Sequence, residues 1–329
     1  MSGSVFISIA LPVYNGAKYL REALDSICAQ TFRDFEVVIS DNASTDETPG
    51  ICEEYARRDP RIKVSRSEQF LQQAENVNRA VGLCSAEWVK LFCHDDLMAP
   101  ACMARIQEFA ANCPLQVGLI GNGEQWLFAN GYCHSPSVGS SEAQHWEGRT
   151  YLRERLVGAP VPPLPSLTTA TVRKSAWQAA GGFESRFVHF DAFFWTRLLM
   201  HWDYTYTPEV LTTNRIHSAQ VAVLARTSLR SVSENRVFWP EFVREYGDAL
   251  GLGSVKRLMA RSRGLGSAGA AVAVQMLRKD FATAAAVFVR MPVIWWPILP
   301  VFVLRSYRYE KRKIAPLRAH VPVNAIYPR

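Results

Sequence analysis

The strongest constraint on the fold lies in the first hundred residues, where short β-rich runs alternate with segments of helical period. "VFISIALPVY" reads as a strand, and "AKYLREALDSICAQ" sets Tyr19, Leu20, Ala23, Leu24 and Ile27 at helical spacing. "DFEVVIS" is a second strand, followed by the polar loop "DNASTDET" and the helix "PGICEEYARR". "RIKVS", "QAENVNRAVGLC" and "EWVKLFC" continue as strand, helix and strand. Strands separated by single helices pair in parallel through βαβ crossovers. The expected class is therefore α/β, a Rossmann-like, mostly parallel sheet flanked by helices. In such a sheet ligands bind outside the carboxyl ends of the strands. The loops "PVYNG", "SDNASTDET" and "CHDD" all follow strands, so they are expected to converge on one crevice.

With 48% hydrophobic and 20% charged residues in 329, the composition is that of a globular protein and excludes disorder. All seven cysteines fall within the first 133 residues and none forms a C-x-x-C pair, which argues against a zinc site or a disulfide framework. The N-terminus lacks a basic stretch followed by a long apolar run, so no secretory signal is expected and the folded body is placed in the cytoplasm. Charge is uneven: residues 1–221 hold 19 Lys and Arg against 24 Asp and Glu (net −5), and residues 222–329 hold 18 against 6 (net +12). The basic part is expected to meet an anionic surface.

The middle of the chain is less regular. "VGLIGNGEQWLF" reads as a strand, "SPSVGSSEAQHWEG" as a Ser/Gly-rich loop, and "GAPVPPLPSLTTATV" as a Pro-rich segment entering a strand. "RKSAWQAA" is a short helix, "FDAFFWTRLLMHW" an amphipathic one, and "YTYTPEVLTTNRIH" returns as extended chain. Beyond about residue 222 the pattern is helical and basic. The apolar stretch around residues 281–304 is interrupted by Arg290, Pro292, Pro297 and Pro300, whereas a membrane span needs roughly 20 continuous apolar residues. Trp295 and Trp296 beside Arg305, Arg308 and Lys311 suit a segment lying in a membrane interface. Burial against the main body and a true span are the alternatives.

Chemistry concentrates at "CHDD". Two like charges at a strand exit call for a cationic partner, and Asp95 and Asp96 offer the incomplete oxygen cage that Mg2+ or Mn2+ takes from a protein when phosphates complete it. A short polar exit loop is the plainer alternative.

The stretches "ALPVYNGAKYLREALDSICAQTFRDFEVVISDNASTDET" and "AENVNRAVGLCSAEWVKLFCHDDLMAP" resemble family 2 glycosyltransferases of GT-A fold, which transfer sugars from nucleotide-sugar donors with inversion. The resemblance covers roughly residues 5–220. It implies a catalytic domain over 1–221, with a nucleotide-binding half to about 122 and an acceptor half from about 123, followed by the basic region 222–329. It further implies that Pro12, Tyr14 and Asn15 line the nucleotide pocket and that Asp41 hydrogen-bonds the base, typically a uracil. Asp95 and Asp96 match the aspartate motif that orients the donor ribose and binds the metal, although Cys93 and His94 stand where many members carry a further aspartate. "GGFESRFVHFDAFFWTRLL" resembles the segment bearing the catalytic base. There Phe190-Asp191 replaces the usual Glu-Asp, leaving Asp191 as the base, with a helix N-cap as its alternative role. "NRIHSAQ" resembles an Arg-x-His element, so Arg215 and His217, projecting to one face of an extended strand, are expected at the donor diphosphate or the metal.

The resemblance implies an inverting transfer from a nucleoside-diphosphate sugar, a UDP-sugar first, with Mn2+ or Mg2+ as cofactor. The acceptor is expected to be a saccharide or lipid-linked hydroxyl in bacterial surface polysaccharide or glycolipid synthesis, at the inner face of the plasma membrane. Trp146, Trp177 and Trp195 are candidates for acceptor contact, with a core role as the alternative for the last two. A sugar-1-phosphate nucleotidyltransferase would carry a Gly- and Arg-rich loop where "PVYNGAKYL" stands, and a non-catalytic scaffold would have no need of Asp41, Asp95, Asp96, Asp191 and His217 together. No nucleic-acid partner is expected, since no recognised module accompanies the basic charge.

Overall fold

A computed structural model describes residues 5–136, 141–157, 159–187, 189–217 and 229–253. The predicted alternation is realised as β1 (Ile7–Val13), α1 (Ala17–Cys28), β2 (Phe35–Asp41), α2 (Thr48–Arg58), β3 (Ile62–Arg66), α3 (Gln73–Leu83) and β4 (Trp88–Leu91). Then follow β5 (Leu97–Met98), α4 (Cys102–Asn112), β6 (Val117–Phe128), β7 (Cys133–His134), β8 (Gln144–Trp146) and α5 (Gly148–Val157). The described chain closes with β9 (Ala170–Arg173), α6 (Lys174–Ala179), α7 (Phe190–Leu198), β10 (Asp203–Ile216) and α8 (Leu229–Tyr246).

One sheet runs in the order β3-β2-β1-β4-β9-β6-β10-β5, with β7 beside β6 and β8 beside β10. The first four strands are parallel, with Ile7 opposite both Phe35 and Trp88. Strand β9 is antiparallel to β4 and to β6, and β10 is parallel to β6. The chain order reverses between β1 and β4, and such a switch point opens a crevice at the strand ends. The small strands β5, β7 and β8 and helix α5 are additions to the sequence reading, too short or too weakly patterned for periodicity to reveal.

Alternation along β1 divides the core between the two sheet faces. Ile7, Ile9, Leu11 and Val13 pack with Leu20, Leu24 and Ile27 of α1, Ile51 and Tyr55 of α2, and Met103 and Ile106 of α4. Ala10 faces the other layer, with Val77 and Val81 of α3, Trp177 of α6, Phe193 and Phe194 of α7, and Phe238 and Phe242 of α8. Local signals start the helices: α2 has a proline in its first turn, and α3 is closed by a capping box in which the Gln72 N–H donates to Glu75 Oε2 at 2.9 Å.

Helix α7 departs from its sequence reading. It is not amphipathic in place, because Phe190, Phe193, Phe194, Trp195, Thr196 and Leu198 are all buried. The reason is α8, whose Phe238 stacks on Phe193 with ring centroids 4.0 Å apart and covers the side that would otherwise face water. Trp177 and Trp195, 5% and 0% exposed, belong to this aromatic layer, so their acceptor role is replaced by the core role. Among the described residues no helix is long and apolar enough to cross a membrane, and the stretch 281–304 lies outside them.

Two buried charges brace the sheet. Glu36 on β2 accepts from the hydroxyls of Ser8 and Ser85, the Ser85 N–H and Lys63 Nζ, at 2.6–2.7 Å. Burial alone would raise its pKa, but these donors outweigh it and hold the carboxyl down at about 2. Lys90, fully buried in β4, reaches Asn122 Oδ1 at 3.0 Å and the Thr168 carbonyl at 2.6 Å.

A depressed carboxyl stabilises the fold fully above its unfolded pKa and loses that contribution as pH falls through the folded value. For Glu36 the window runs from about pH 4.5 down to about 2. The expected result is that Glu36→Gln lowers unfolding free energy at pH 7 by roughly 2–3 kcal/mol and flattens the acid limb within that window, read by denaturant melts at stepped pH.

Candidate functional site

The crevice is lined first by the loops after β1 and β2, which are stitched together. Asn15 adopts φ 46°, its N–H donates to Ser44 Oγ at 2.9 Å, and its Oδ1 accepts the Thr45 N–H at 2.8 Å. The Gly16 N–H donates to Thr48 Oγ1 at 2.8 Å. A Cβ at Gly16 would overlap the His94 imidazole, so this glycine lets the loop after β4 close against the loop after β1. Pro12 lies half-buried in β1 opposite Ser40, one residue from Asp41.

Asp41 ends β2, 1% exposed. Its Oδ1 accepts the Ser44 N–H at 3.2 Å, whereas Oδ2 has no hydrogen-bond partner and sits 3.6 Å from Arg66 Nε. A buried carboxylate oxygen left short of a donor is costly, which marks the place where a ligand N–H would fit. Beside it Asn42 clasps Leu71 by two hydrogen bonds of 2.9 and 2.7 Å, fixing the segment that carries Phe70. Tyr14 and Phe70 meet edge-to-face at 4.8 Å and remain 44% and 60% exposed, an aromatic rim at the mouth.

The loop after β4 brings Cys93, Asp95 and Asp96 together, with one ligand atom of each within 4.8 Å of the others. The two carboxyls are held differently. Burial alone would raise Asp95, but His217 Nε2, 2.9 Å from its Oδ2, and the charges of His94 and His217 hold it below the usual range. Asp96 is pushed well above that range by burial and then by the Asp95 charge. Its Oδ2 accepts from the Thr168 hydroxyl and its Oδ1 from the Arg215 N–H at 2.8 Å. The surroundings thus push the two carboxyls in opposite directions. Burial, and then Asp96 and Asp95, push the Cys93 thiol far up, so it stays uncharged and is a poor ligand for a hard cation. Burial pushes the His94 imidazole down, with the Asp95 charge opposing it.

Strand β10 delivers the Arg-x-His element to one face, as its alternation requires. The Arg215 guanidinium lies 4.6 Å over the Tyr19 ring, donates from Nε to the Asp95 carbonyl at 3.0 Å and pairs with Glu22 at 2.8 Å. The His217 ring sits 5.2 Å from the same tyrosine. His217 Nε2 lies 2.9 Å from Asp95 Oδ2, beside the group formed by Cys93, Asp95 and Asp96.

Asp191 stands in the first turn of α7 and its charge reaches the Cys93 thiol beside the aspartate pair. The residue at the cap position is His189, without a side-chain capping bond, and Asp191 Oδ1 accepts the N–H of Ala192 at 2.7 Å. The N-cap role is therefore not the one it takes. Trp146 is half-buried, 6.0 Å edge-on to Tyr151 against the core.

Sequence reasoning passed over Thr168, Tyr19 and Lys90. The one signal available was a lysine inside the apolar run "EWVKLFC", since a buried lysine needs partners. Thr168 carries no sequence mark, because its place under Asp96 is set by a contact across 72 residues.

The sequence model described as Glycosyl transferase family 2 matches residues 8–174. An uncharacterized glycosyltransferase of Rickettsia typhi is 26% identical over 249 residues, 74% of this chain and 73% of its own length. Glycosyltransferase GlyG of Streptococcus pneumoniae serotype 4 is 30% identical over 95 residues, 29% of this chain. Chondroitin synthase of Escherichia coli is 31% identical over 134 residues, 36% of this chain. The matches span 32% of GlyG and 19% of the synthase. Among solved structures, a mannosyltransferase of Pyrobaculum calidifontis in complex with GDP-Man and Mn2+ superposes with TM-score 0.57 at 19% identity, covering 94% of this chain and 89% of that one. S. aureus TarS 1–349 in complex with UDP-GlcNAc gives 0.56 at 17%, covering 94% and 92%. These likenesses show a common GT-A fold. With the family match extending over half of its residues, the chain belongs to glycosyltransferase family 2.

Proposed function

We propose that this protein is an inverting glycosyltransferase that moves a sugar from a nucleoside-diphosphate sugar, a UDP-sugar first, to a hydroxyl of a saccharide or lipid-linked acceptor. The observation that carries the reading is the convergence of the strand ends: a buried carboxylate oxygen of Asp41 without a hydrogen-bond donor and the adjacent carboxyls of Asp95 and Asp96 line one crevice. A nucleotide supplies the N–H that Asp41 lacks, with Pro12, Tyr14 and Asn15 lining its pocket. The solved structures of this fold with GDP-Man and Mn2+ and with UDP-GlcNAc support the ligand class.

The site fits a hard divalent cation, Mn2+ or Mg2+. Two carboxyl groups converge at the exit of β4, the oxygen donors such a cation takes from a protein. Asp96 and Asp95 would hold it, with His217 orienting Asp95 or entering as a further ligand. When bound, such a cation neutralises charge on the leaving diphosphate. Arg215 adds fixed positive charge from the end of β10, held in place by Tyr19 and Glu22. Asp191 accepts the proton of the acceptor hydroxyl as it attacks the anomeric carbon from the face opposite the leaving group, so the configuration inverts in one displacement. An aspartate is a weak base toward an alcohol, so most of the acceleration comes from positioning and from stabilising the leaving group.

The basic region beyond residue 222 is proposed to hold the protein at the inner face of the plasma membrane, close to a lipid-linked acceptor of surface polysaccharide or glycolipid synthesis. The net charge of +12 there supports this reading.

Calorimetric titration of UDP and GDP with and without Mn2+ tests the donor site. One nucleotide is expected to bind in a metal-dependent way, and Asp96→Ala to abolish it. Burial raises Asp96, so protonation competes with cation binding there: affinity is expected to rise with pH across a window above the ordinary carboxylate value of about 4 and to weaken as pH falls. An affinity flat in pH would contradict a raised Asp96. Asp191→Asn is expected to lower kcat by about 10²–10⁴-fold with UDP affinity unchanged; equal losses in both would remove Asp191 from the base role. Removal of residues 281–329 should release the protein from vesicles containing anionic lipid, and unchanged co-sedimentation would end the membrane reading.

A further inference from the structure

Lys90 is the one buried lysine among the described residues, placed beneath the aspartate pair and taking no part in the scheme above. Burying an ammonium in an apolar strand is unfavourable, so its retention asks what it holds. Its Nζ donates to the Thr168 carbonyl at 2.6 Å and to Asn122 Oδ1 at 3.0 Å. Asn122 in turn donates to Thr212 Oγ1 at 3.0 Å, which locks the amide with its oxygen toward the lysine. The lysine therefore pins the loop ahead of β9 from below at its residue 168 carbonyl.

The same residue faces the site from its other end. The Thr168 hydroxyl donates to Asp96 Oδ2 and accepts the Cys93 N–H at 3.3 Å, and Asp96 Oδ1 is held by the Arg215 N–H. Both oxygens of Asp96 are thus oriented by groups that do not move with it, one on β10 and the other on the loop that Lys90 pins. Burial pulls the Lys90 amine down to about 8, opposed by Cys102, Cys93 and then Asp96.

We infer that Lys90 is a positioning residue for the donor site: through the Thr168 carbonyl it fixes the Thr168 hydroxyl on Asp96. The inference rests on the reading of Asp96 as the carboxylate that meets the cation of the nucleotide donor. Groups that orient ligating carboxylates typically change metal affinity by 10–100-fold when removed.

The test compares wild type, Lys90→Met, Thr168→Val, Thr168→Ser and the Met/Val double variant by calorimetric titration of Mn2+ into UDP-saturated protein, with melting temperatures in parallel. Lys90→Met and Thr168→Val are each expected to weaken Mn2+ affinity by about tenfold or more, and Thr168→Ser to retain it. The double variant should bind no worse than the weaker single, because both changes sever one chain of contacts. A folded Lys90→Met with wild-type Mn2+ affinity would overturn the inference, whatever its melting temperature. So would losses that multiply in the double variant. If Lys90→Met does not fold, Lys90→Gln takes its place with the same criteria. A wild-type protein that binds no UDP with Mn2+ would remove the donor-site reading and the inference together, whereas wild-type binding matched by all variants would remove the inference alone.

Discussion

Two adjacent carboxyl groups at a dry strand exit cannot both ionise unless donors or cations surround them, and much of this molecule is arranged around that requirement. His217 and Arg215 arrive from the end of β10, Thr168 from the loop before β9, and Lys90 from within β4. These groups come from three separate parts of the sheet, so the pair is only accommodated once the sheet has assembled. The split that results, Asp95 below the ordinary carboxylate range and Asp96 above it, follows from unequal neighbours. Asp95 faces His94 and His217, whereas Asp96 takes its hydrogen bonds from the neutral Thr168 hydroxyl and Arg215 N–H and stands beside the Asp95 charge.

The sheet makes this meeting possible by changing direction. Four parallel strands place the loops after β1, β2 and β4 at one edge of the crevice, and antiparallel β9 then allows β6 and β10 to continue the same sheet. Parallel pairing with β6 carries β10 back to the same end, where Thr213 and Thr212 pair with Leu97 and Met98 just past the aspartates. The short β5 thereby ties the acidic loop to the strand that bears Arg215 and His217. On the opposite layer, rings from α6, α7, α8 and the loop between α6 and α7 interlock, with Phe183 of that loop and Phe194 and Trp195 of α7 within 5.5 Å of one another by centroid. That layer fixes the first turn of α7, where Asp191 stands.

Periodicity made the first half of the fold legible. β1 to β4 and the helices between them follow from alternating apolar runs and local caps, because each is stabilised by contacts to its immediate neighbours in sequence. The aspartate pair was legible because it carries charge where a strand ends, and Asp41 and the Arg-x-His element through their match to motifs of the family. Thr168 and Tyr19 were not, since an uncharged threonine in a Pro-rich stretch and a tyrosine at helical spacing look like ordinary loop and core. Helix α7 was misjudged for a related reason. Its own residues suggest one wet face, and only α8, thirty residues further along, removes that face from water.

What the sequence determined by itself is the α/β class, the parallel first half and the family, since those depend on residue type, spacing and order along the chain. What only the tertiary structure decided is that Asp95 and Asp96 are pushed in opposite directions, which oxygen of Asp41 lacks a donor, and that Trp177 and Trp195 lie in the core. Those properties belong to pairs of residues tens of positions apart. Their energies depend on distance and on the exclusion of water, and neither quantity exists until the chain has packed.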